Sequence, residues 1–248
     1  MATTATATSP QVHARIGGLL YLVIILAGAL GELFIRGRLV VPGDAAATAG
    51  NILASTSLWR VGIVGDLVMH VCDVFVMWVL YLLLRPVNRN LALLNLLLNL
   101  IQTAVLVANK VILLVPLLLL GGADYLDAFD PAQLQAWSYF TIELHEYGFG
   151  IGLIFFGGVC LVEGHLIRTS RYLPRLIGVL MQIAGACYLI NSFALLLAPD
   201  FEAHLFPAIL MPCLVAELSL ALWLLIKGVN VAEWHKRASM NSGAAAGI

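Results

Sequence analysis

Ionisable side chains stand at helical spacing inside long apolar stretches of this sequence. Asp66, His70 and Asp73 follow one another at i, i+4 and i+7, which places all three on one face of a helix. Carboxylate and imidazole groups so arranged can exchange protons or hold a cation or a metal. An ionisable group in the middle of a bilayer costs about 2.5–3.5 kcal/mol on insertion scales, so we treat this row as a candidate functional site.

Other apolar stretches carry polar groups of the same kind. A row of amides on one helix face (Asn95, Asn99, Gln102 and Asn109) is expected to face the interior of a helix bundle, because lipid cannot satisfy it. Two carboxylates, Glu143 and Glu146, share a face at i and i+3, whereas His145 points away from Glu143. The candidate binding pocket comprises Asp66, His70, Asp73, Asn109, Lys110, Glu143, His145, Glu146 and Glu217.

The charges of these groups do not balance. The mid-span set holds five acids and a single certain base, Lys110, which leaves four negative charges without a partner. At about 3 kcal/mol each, they would cost roughly 12 kcal/mol. Protonated carboxylates, cationic histidines, a bound cation or a water-filled cavity that opens outward would each relieve this charge.

Three local arrangements follow from the same residues. We expect Lys110 to pair with an acid of the second or fourth span, and Glu32 to pair with Arg36 one helical turn later. Glu163 is expected at the inner end of the fourth span, from where its side chain can reach water.

Six apolar segments must position these groups. The chain has 248 residues, of which 61% are hydrophobic and only 11% charged, and this excludes a soluble cytosolic enzyme. Its net charge of -1, without a strong basic patch, predicts no nucleic-acid partner and leaves the lipid bilayer as the main one. The sequence predicts an all-α membrane protein, a bundle of six transmembrane helices. The predicted spans are about 16–35, 59–84, 91–120, 134–164, 175–198 and 206–227.

Two connections carry helix signals of their own. Asp44 can cap a short helix over 45–53, which is expected on the outer membrane face between spans one and two. Asp130 and Pro131 read as the cap and first residue of the fourth span, which could then run for roughly 55 Å. Proline at 116 and at 212 predicts helix breaks that free backbone groups.

The distribution of Lys and Arg predicts the orientation. Arg85, Arg89 and Arg168 flank inner connections, and the even number of spans then places both termini in the cytoplasm. Arg36, Arg38 and Arg60 are exceptions on the first outer connection. We divide the chain into a disordered cytoplasmic tail (1–14), a six-helix transmembrane domain (15–230) and a cytoplasmic tail (231–248). A cleaved signal peptide at the first span is the alternative that this division sets aside.

Three functions remain open at this level. The first is a protein that binds or moves a small polar solute, a proton or a cation, and that dimerises with a second copy if six spans are too few. The second is a metal-dependent intramembrane hydrolase of a lipid-like substrate, with a divalent metal on Asp66, His70, Asp73 and His145. The third is a non-catalytic assembly or sensor protein. No catalytic motif decides between them, and no catalytic residue is identified.

Several longer motifs stand along the chain. They are Arg15-Ile-Gly-Gly-Leu-Leu-Tyr-Leu, Val41-Pro-Gly-Asp-Ala-Ala-Ala-Thr-Ala, Arg85-Pro-Val-Asn-Arg, Gly122-Ala-Asp-Tyr-Leu, Glu143-Leu-His-Glu-Tyr-Gly, Leu173-Pro-Arg and Glu217-Leu-Ser-Leu-Ala-Leu-Trp-Leu-Leu-Ile-Lys-Gly. Through these motifs the sequence resembles, over roughly 14–230, the bacterial multi-pass membrane proteins catalogued as domain of unknown function 4386. The resemblance implies a bacterial inner membrane and an intact first span. It implies no activity, because the family has none assigned.

Overall fold

Six helices long and apolar enough to cross a membrane form the molecule. The computed structural model describes the backbone of residues 9–245 and the side chains of residues 9–240, so expectations for 1–8 and 246–248 lie outside it. Within the described residues there is no strand, and the predicted all-α bundle of six spans is confirmed. The spans are Pro10–Leu39 (span 1), Thr56–Leu84 (span 2), Arg89–Leu119 (span 3), Pro131–Ser170 (span 4), Arg175–Leu197 (span 5) and Ala208–Ile226 (span 6).

Three shorter helices lie outside the spans: Ala45–Ala54, Pro199–Leu205 and Val231–Ala245. The first is the helix predicted between spans 1 and 2, and the Asp44 carboxylate caps it by accepting from the Ala47 backbone N–H at 2.8 Å. The last lies in the segment predicted as the C-terminal tail, just as residues 10–14 of the predicted N-terminal tail already belong to span 1.

The spans form a closed ring in the order of the chain. Each span packs against the one before and the one after it, and span 6 packs back on span 1. This last contact depends on Gly18, where a Cβ would meet the Cα of Leu225 at 2.9 Å. Since six spans alternate in direction, both described chain ends lie on one side. We call it the terminal side and the opposite side the far side.

Glycines bring spans 4 and 5 into backbone contact. A Cβ on Gly185 would lie 2.7 Å from the carbonyl oxygen of Gly157, and a Cβ on Gly178 would lie 2.6 Å from that of Gly164. Glycine at such positions lets two helix backbones approach closely. Span 4 begins at Pro131 behind the Asp130 cap, as predicted, and its 40 residues extend for about 60 Å.

Span 1 contains a wider helical turn where it meets span 2. Residues Leu30–Arg36 form a π-helix, in which each N–H bonds one residue further back than in an α-helix. Gly31 lies in this turn, and a Cβ there would approach Oδ1 of Asp66 to 3.0 Å. The π-helix therefore lets span 1 pass close to an acid of span 2 and ends on Arg36.

Span 3 is interrupted near its far-side end. Pro116 has no N–H to donate, and its ring displaces the carbonyl of Ile112, so the regular α-helix ends at Asn109. Trp59 of span 2 donates its indole N–H to the freed carbonyl of Leu113 at 2.8 Å. The break predicted for Pro116 thus starts nearly two turns earlier, at Lys110. Pro212 stands in the first turn of the α-helix Met211–Ile226 and does not interrupt it.

The terminal side is closed by hydrogen bonds between distant parts of the chain. Tyr172 and Trp234 both donate to the carbonyl of Leu83, at 2.6 and 3.0 Å. Gln11 donates to the Lys227 carbonyl at 2.9 Å and accepts from the Val229 N–H at 3.0 Å. The main apolar core lies behind these bonds, between the terminal-side halves of the spans.

Candidate functional site

The polar groups inside the ring fall into two sets. The first, the ion cluster, consists of Glu32, Arg36, Asp66, Lys110 and His145 and links spans 1 to 4. The second, the central acids, consists of Asp73, Glu163 and Glu217 on spans 2, 4 and 6. The sequence had placed most of these groups in one pocket, and the structure separates them.

Asp66 is the centre of the ion cluster. Its side chain is 1% exposed, and Oδ2 accepts from Arg36 Nη1 at 2.8 Å and faces Lys110 Nζ at 3.0 Å. Arg36 also binds Glu32 at 2.7 Å, so the predicted local pair of span 1 is confirmed. The predicted ion pair of Lys110 with a span-2 acid is confirmed as well.

Lys110 connects this carboxylate to span 4. Its Nζ lies 3.1 Å from His145 Nε2 and 5.7 Å from the centre of the Phe149 ring. An ammonium group only donates hydrogen bonds, so Nε2 accepts and the proton of the neutral imidazole is on Nδ1. Asn109 donates to the His145 carbonyl at 2.8 Å, which fixes span 3 against span 4.

The ion cluster is close to neutral. Two carboxylates, Glu32 and Asp66, face two cations, Arg36 and Lys110. The prediction that Lys110 is the single base of the interior was wrong. Arg36 is a second base, because it extends from the π-helix into the ring. His70 stands one turn beyond Asp66, is 2% exposed, and its Nε2 has no hydrogen-bond partner.

Glu143 and Glu146 are both exposed, so the expectation that they line the buried pocket is not met. They share one face of span 4, as predicted, while His145 alone turns inward and is 5% exposed. Glu146 is within electrostatic range of Glu143 and also of Glu32 and Glu202. These acids belong to spans 1 and 4 and to the Pro199–Leu205 helix, and all of them lie on the far side of the ring. We call this group of four carboxylates the far-side mouth.

Asp73 is held by neutral groups of span 3. Its Oδ2 accepts from Thr103 Oγ1 at 2.5 Å and from Asn99 Nδ2 at 3.0 Å, and the side chain is half-buried. The predicted interior row of amides is confirmed, because all of its members are nearly inaccessible. The exposed fractions are 3% for Asn95, 0% for Asn99, 6% for Gln102 and 6% for Asn109.

Glu217 is held by two tyrosines from opposite directions. Tyr21 of span 1 donates to its Oε2 at 3.2 Å, and Tyr188 of span 5 donates to Oε1. Tyr188 is fixed in turn by an edge-on contact with Phe156, with ring centres 5.2 Å apart. The last span therefore contributes its acid to the ring interior, as expected.

The prediction that Glu163 reaches water was wrong. Its side chain is 2% exposed because span 4 continues to Ser170, about 10 Å beyond it, whereas the predicted span ended at 164. The Asn95 side chain lies beside this carboxylate, and Glu163 Oε1 has no hydrogen-bond partner.

The three central acids influence one another electrostatically. Glu163 lies within range of Glu217 and Asp73, and Glu217 within range of Asp73. Among the described residues, no Lys, Arg or His forms an ion pair with any of them. The hydrogen-bond partners of Asp73 and Glu217 are neutral side chains, Thr103, Asn99, Tyr21 and Tyr188, and the neutral Asn95 lies beside Glu163.

The four residues considered as metal ligands do not form one site. Asp66 and His145 both contact Lys110, and Asp73 turns to span 3. No group of three or more His, Cys, Asp and Glu side chains suited to a metal occurs in the part of the chain that the structure describes. A groove of about 600 Å³ between spans 1 and 2 is lined by no carboxylate.

Comparison with known proteins places this arrangement in a family. A profile described as Domain of unknown function (DUF4386) matches residues 16–228, which include all six spans apart from the first residues of span 1. The chain belongs to this family. The DUF4386 match confirms the resemblance of the sequence motifs and covers both the ion cluster and the central acids.

One relative of this DUF4386 protein comes from an archaeon. An uncharacterised protein of Archaeoglobus fulgidus is 28% identical over 171 residues, which are 69% of this chain and 86% of the relative. No solved structure matches the chain.

Five residues of the site escaped the sequence analysis, and Thr103, which donates to Asp73, is one of them. Arg36 lay one residue beyond the predicted end of span 1, and Glu163 one residue before the predicted end of span 4. Tyr21 and Tyr188 follow no polar row that would mark them. Continuation of the helical pattern past 164 was the signal that could have placed Glu163 inside.

Proposed function

We propose that this protein binds a proton or a small cation at its central acids and moves it across the membrane. The observation that carries the proposal is the set of three interior carboxylates, Asp73, Glu163 and Glu217, which have neutral hydrogen-bond donors and no cationic side chain beside them. Ionised together, they would cost several kcal/mol in a bilayer. A proton or cation that binds there relieves this charge, and its exchange between the acids would be the transport step.

The separation of the two sets supports this function over the others considered. The ion cluster is close to neutral and satisfied by its own members, which suits a structural gate between the far-side mouth and the central acids. The central acids lack such compensation and suit exchange. A small polar solute in place of the ion, and a homodimer of the protein, remain predictions.

Proton movement can be measured in liposomes that contain a pH-sensitive dye. We expect the wild type to dissipate an imposed pH gradient faster than protein-free vesicles. Glu217→Gln should slow the flux by at least about tenfold, since a positioned proton-transfer group contributes about 10²–10⁴-fold to a rate. Glu233→Gln, on the helix after span 6, is the matched control and should leave the flux unchanged. A wild type that dissipates neither proton nor Na⁺ gradients would overturn the proposed function.

We further propose that the protein lies in a bacterial inner membrane with its terminal side in the cytoplasm. Arg85, Arg89, Arg168 and Arg171 are all on the terminal side. Arg36, one of the three exceptions, lies inside span 1 and pairs with Asp66, so it no longer counts against this orientation.

Cysteine labelling in intact cells tests the orientation. We expect Asp124→Cys, between spans 3 and 4, to react with a membrane-impermeant maleimide from outside. Lys236→Cys should react only after the cells are permeabilised. The wild type serves as the control, since its four cysteines all lie within spans. Labelling of Lys236→Cys in intact cells would reverse the assignment.

A further inference from the structure

The ring interior contains more hydrogen-bond acceptors than donors beside the central acids. Three buried oxygen atoms there, Oδ1 of Asn95, Oδ1 of Asn99 and Oε1 of Glu163, have no hydrogen-bond partner. Buried polar atoms are almost always satisfied in folded proteins, so each of these atoms calls for an explanation. All three are oxygens, and a positive or proton-bearing species would satisfy them.

These oxygens belong to one continuous group of side chains. Asn99 donates through Nδ2 to Asp73, which leaves its Oδ1 free, and Asn95 interacts with Glu163. Asn95 and Asn99 are one turn apart on the same face of span 3, about 5–6 Å between Cβ atoms. The group therefore runs from span 2 through span 3 to span 4 without a cationic side chain.

The ligand chemistry of this group is that of a hard cation. Carboxylate and amide oxygens are preferred by alkali and alkaline-earth ions, whereas transition metals favour imidazole and thiolate groups, which are not among these four side chains. Mg²⁺ gives up its water reluctantly, and Ca²⁺ takes six to eight oxygens, whereas only three buried oxygens here are without a partner. A monovalent ion loses its water more easily, and the nearly inaccessible side chains of Asn95, Asn99 and Glu163 (0–3% exposed) require that loss.

We propose that Asn95, Asn99, Asp73 and Glu163 form a binding site for a monovalent alkali cation, with Na⁺ as its probe. The inference rests on the proposed function and names its ligand. A single proton on Glu163 would satisfy at most two of the three oxygens, Oε1 and the one carbonyl oxygen to which it donates, whereas one cation can be shared by all three. The charges of the two acids also favour a cation, because a cation between Asp73 and Glu163 lowers the repulsion between their carboxylates.

Thermal unfolding in detergent tests the site without a transport assay. The purified protein is titrated with NaCl against choline chloride at equal ionic strength, and its tryptophan fluorescence is followed on heating. We expect Na⁺ to raise Tm saturably, because a ligand that binds only the folded state stabilises it. Choline is too large to enter and should have no such effect.

Single substitutions identify the side chains that are responsible for the effect of Na⁺ on Tm. Asn95→Leu and Asn99→Leu should raise the half-saturating Na⁺ concentration by about tenfold or more, as expected when metal-site groups are lost. Asn191→Leu is the matched control, since Asn191 is also buried with an unpartnered Oδ1 but lies on span 5. Glu163→Gln, which keeps the shape of the side chain, provides a second variant if a leucine prevents folding.

Two results would overturn the site. One is a wild type that Na⁺ stabilises no more than choline does, and the other is an unchanged Na⁺ response in Asn95→Leu and Glu163→Gln. Proton flux measured in Na⁺-free vesicles separates the two proposals. If that flux persists without Na⁺ stabilisation, the ion is a proton alone and the proposed function stands, whereas loss of both responses removes both.

Discussion

Asp66→Asn is expected to lower the free energy of unfolding by about 3–5 kcal/mol, the usual effect of removing one partner of a buried ion pair. The Asp66 carboxylate faces both Arg36 and Lys110, and Lys110 is itself only 2% exposed. Without that charge, a buried ammonium group remains in the ring with only His145 and the Phe149 ring beside it. The effect is measured as denaturant-induced unfolding in micelles, followed by tryptophan fluorescence.

Asp73→Asn is the matched control for this prediction. It is the same substitution in the same helix two turns away, at an acid whose partners Thr103 and Asn99 are neutral. We expect it to lower stability clearly less than Asp66→Asn does, because no buried cation loses its partner. Equal losses in the two variants would show that the ion cluster does not have the structural role we assign to it.

A double variant isolates the pair itself. If the loss in Asp66→Asn comes from the stranded ammonium group, Asp66→Asn/Lys110→Met should be more stable than Asp66→Asn alone. Replacing a whole buried ion pair by neutral groups is often harmless, whereas breaking it is not. The coupling between the two sites is obtained from the four proteins of this cycle.

Gly178→Ala should destabilise the fold by about 1–3 kcal/mol, because it adds a methyl group where two helix backbones touch. The new Cβ would lie 2.6 Å from the Arg168 nitrogen and from the Gly164 oxygen, and neither backbone atom can move alone. Spans 4 and 5 would have to separate. Thermal unfolding in detergent measures this loss.

Gly65→Ala should have the opposite sign. Gly65 is also in the middle of a span, but a Cβ there would meet nothing within 4 Å. The substitution then only reduces the freedom of the unfolded chain, which stabilises a protein by about 0.4–1 kcal/mol. A destabilised Gly65→Ala together with a stable Gly178→Ala would contradict the packing of spans 4 and 5 described above.

The sequence predicted the spans well because each signal was local. Apolar length defined the six helices, and Asp44 and Asp130 marked two helix starts through their caps. The amide row of span 3 was placed inside for the same reason, since helical spacing alone determines that its members share a face.

The site was harder to predict because it depends on which side chains of different spans meet. The π-helix that brings Arg36 to Asp66 leaves no simple mark in the sequence, so Arg36 was left outside the interior. Spacing showed that Glu143 and His145 diverge, but it could not say which of the two faces the ring. The phenol groups of Tyr21 and Tyr188 stand alone in their helices, and no periodicity pointed to their common partner, Glu217.

Because the ring of spans is closed, the contacts between helices do not depend on where in the ring the chain ends lie. Every neighbouring pair of spans is joined by a connection except spans 6 and 1, and there Gln11 bridges the gap by bonding Lys227 and Val229. At the gap, as at the five other places in the ring, two neighbouring spans pack against each other. The other connections on the terminal side are short. A circularly permuted chain, joined at this gap and opened between spans 2 and 3, would keep every contact between helices and the same orientation in the membrane. The cyclic order of the helices specifies this architecture, and the point at which translation begins does not.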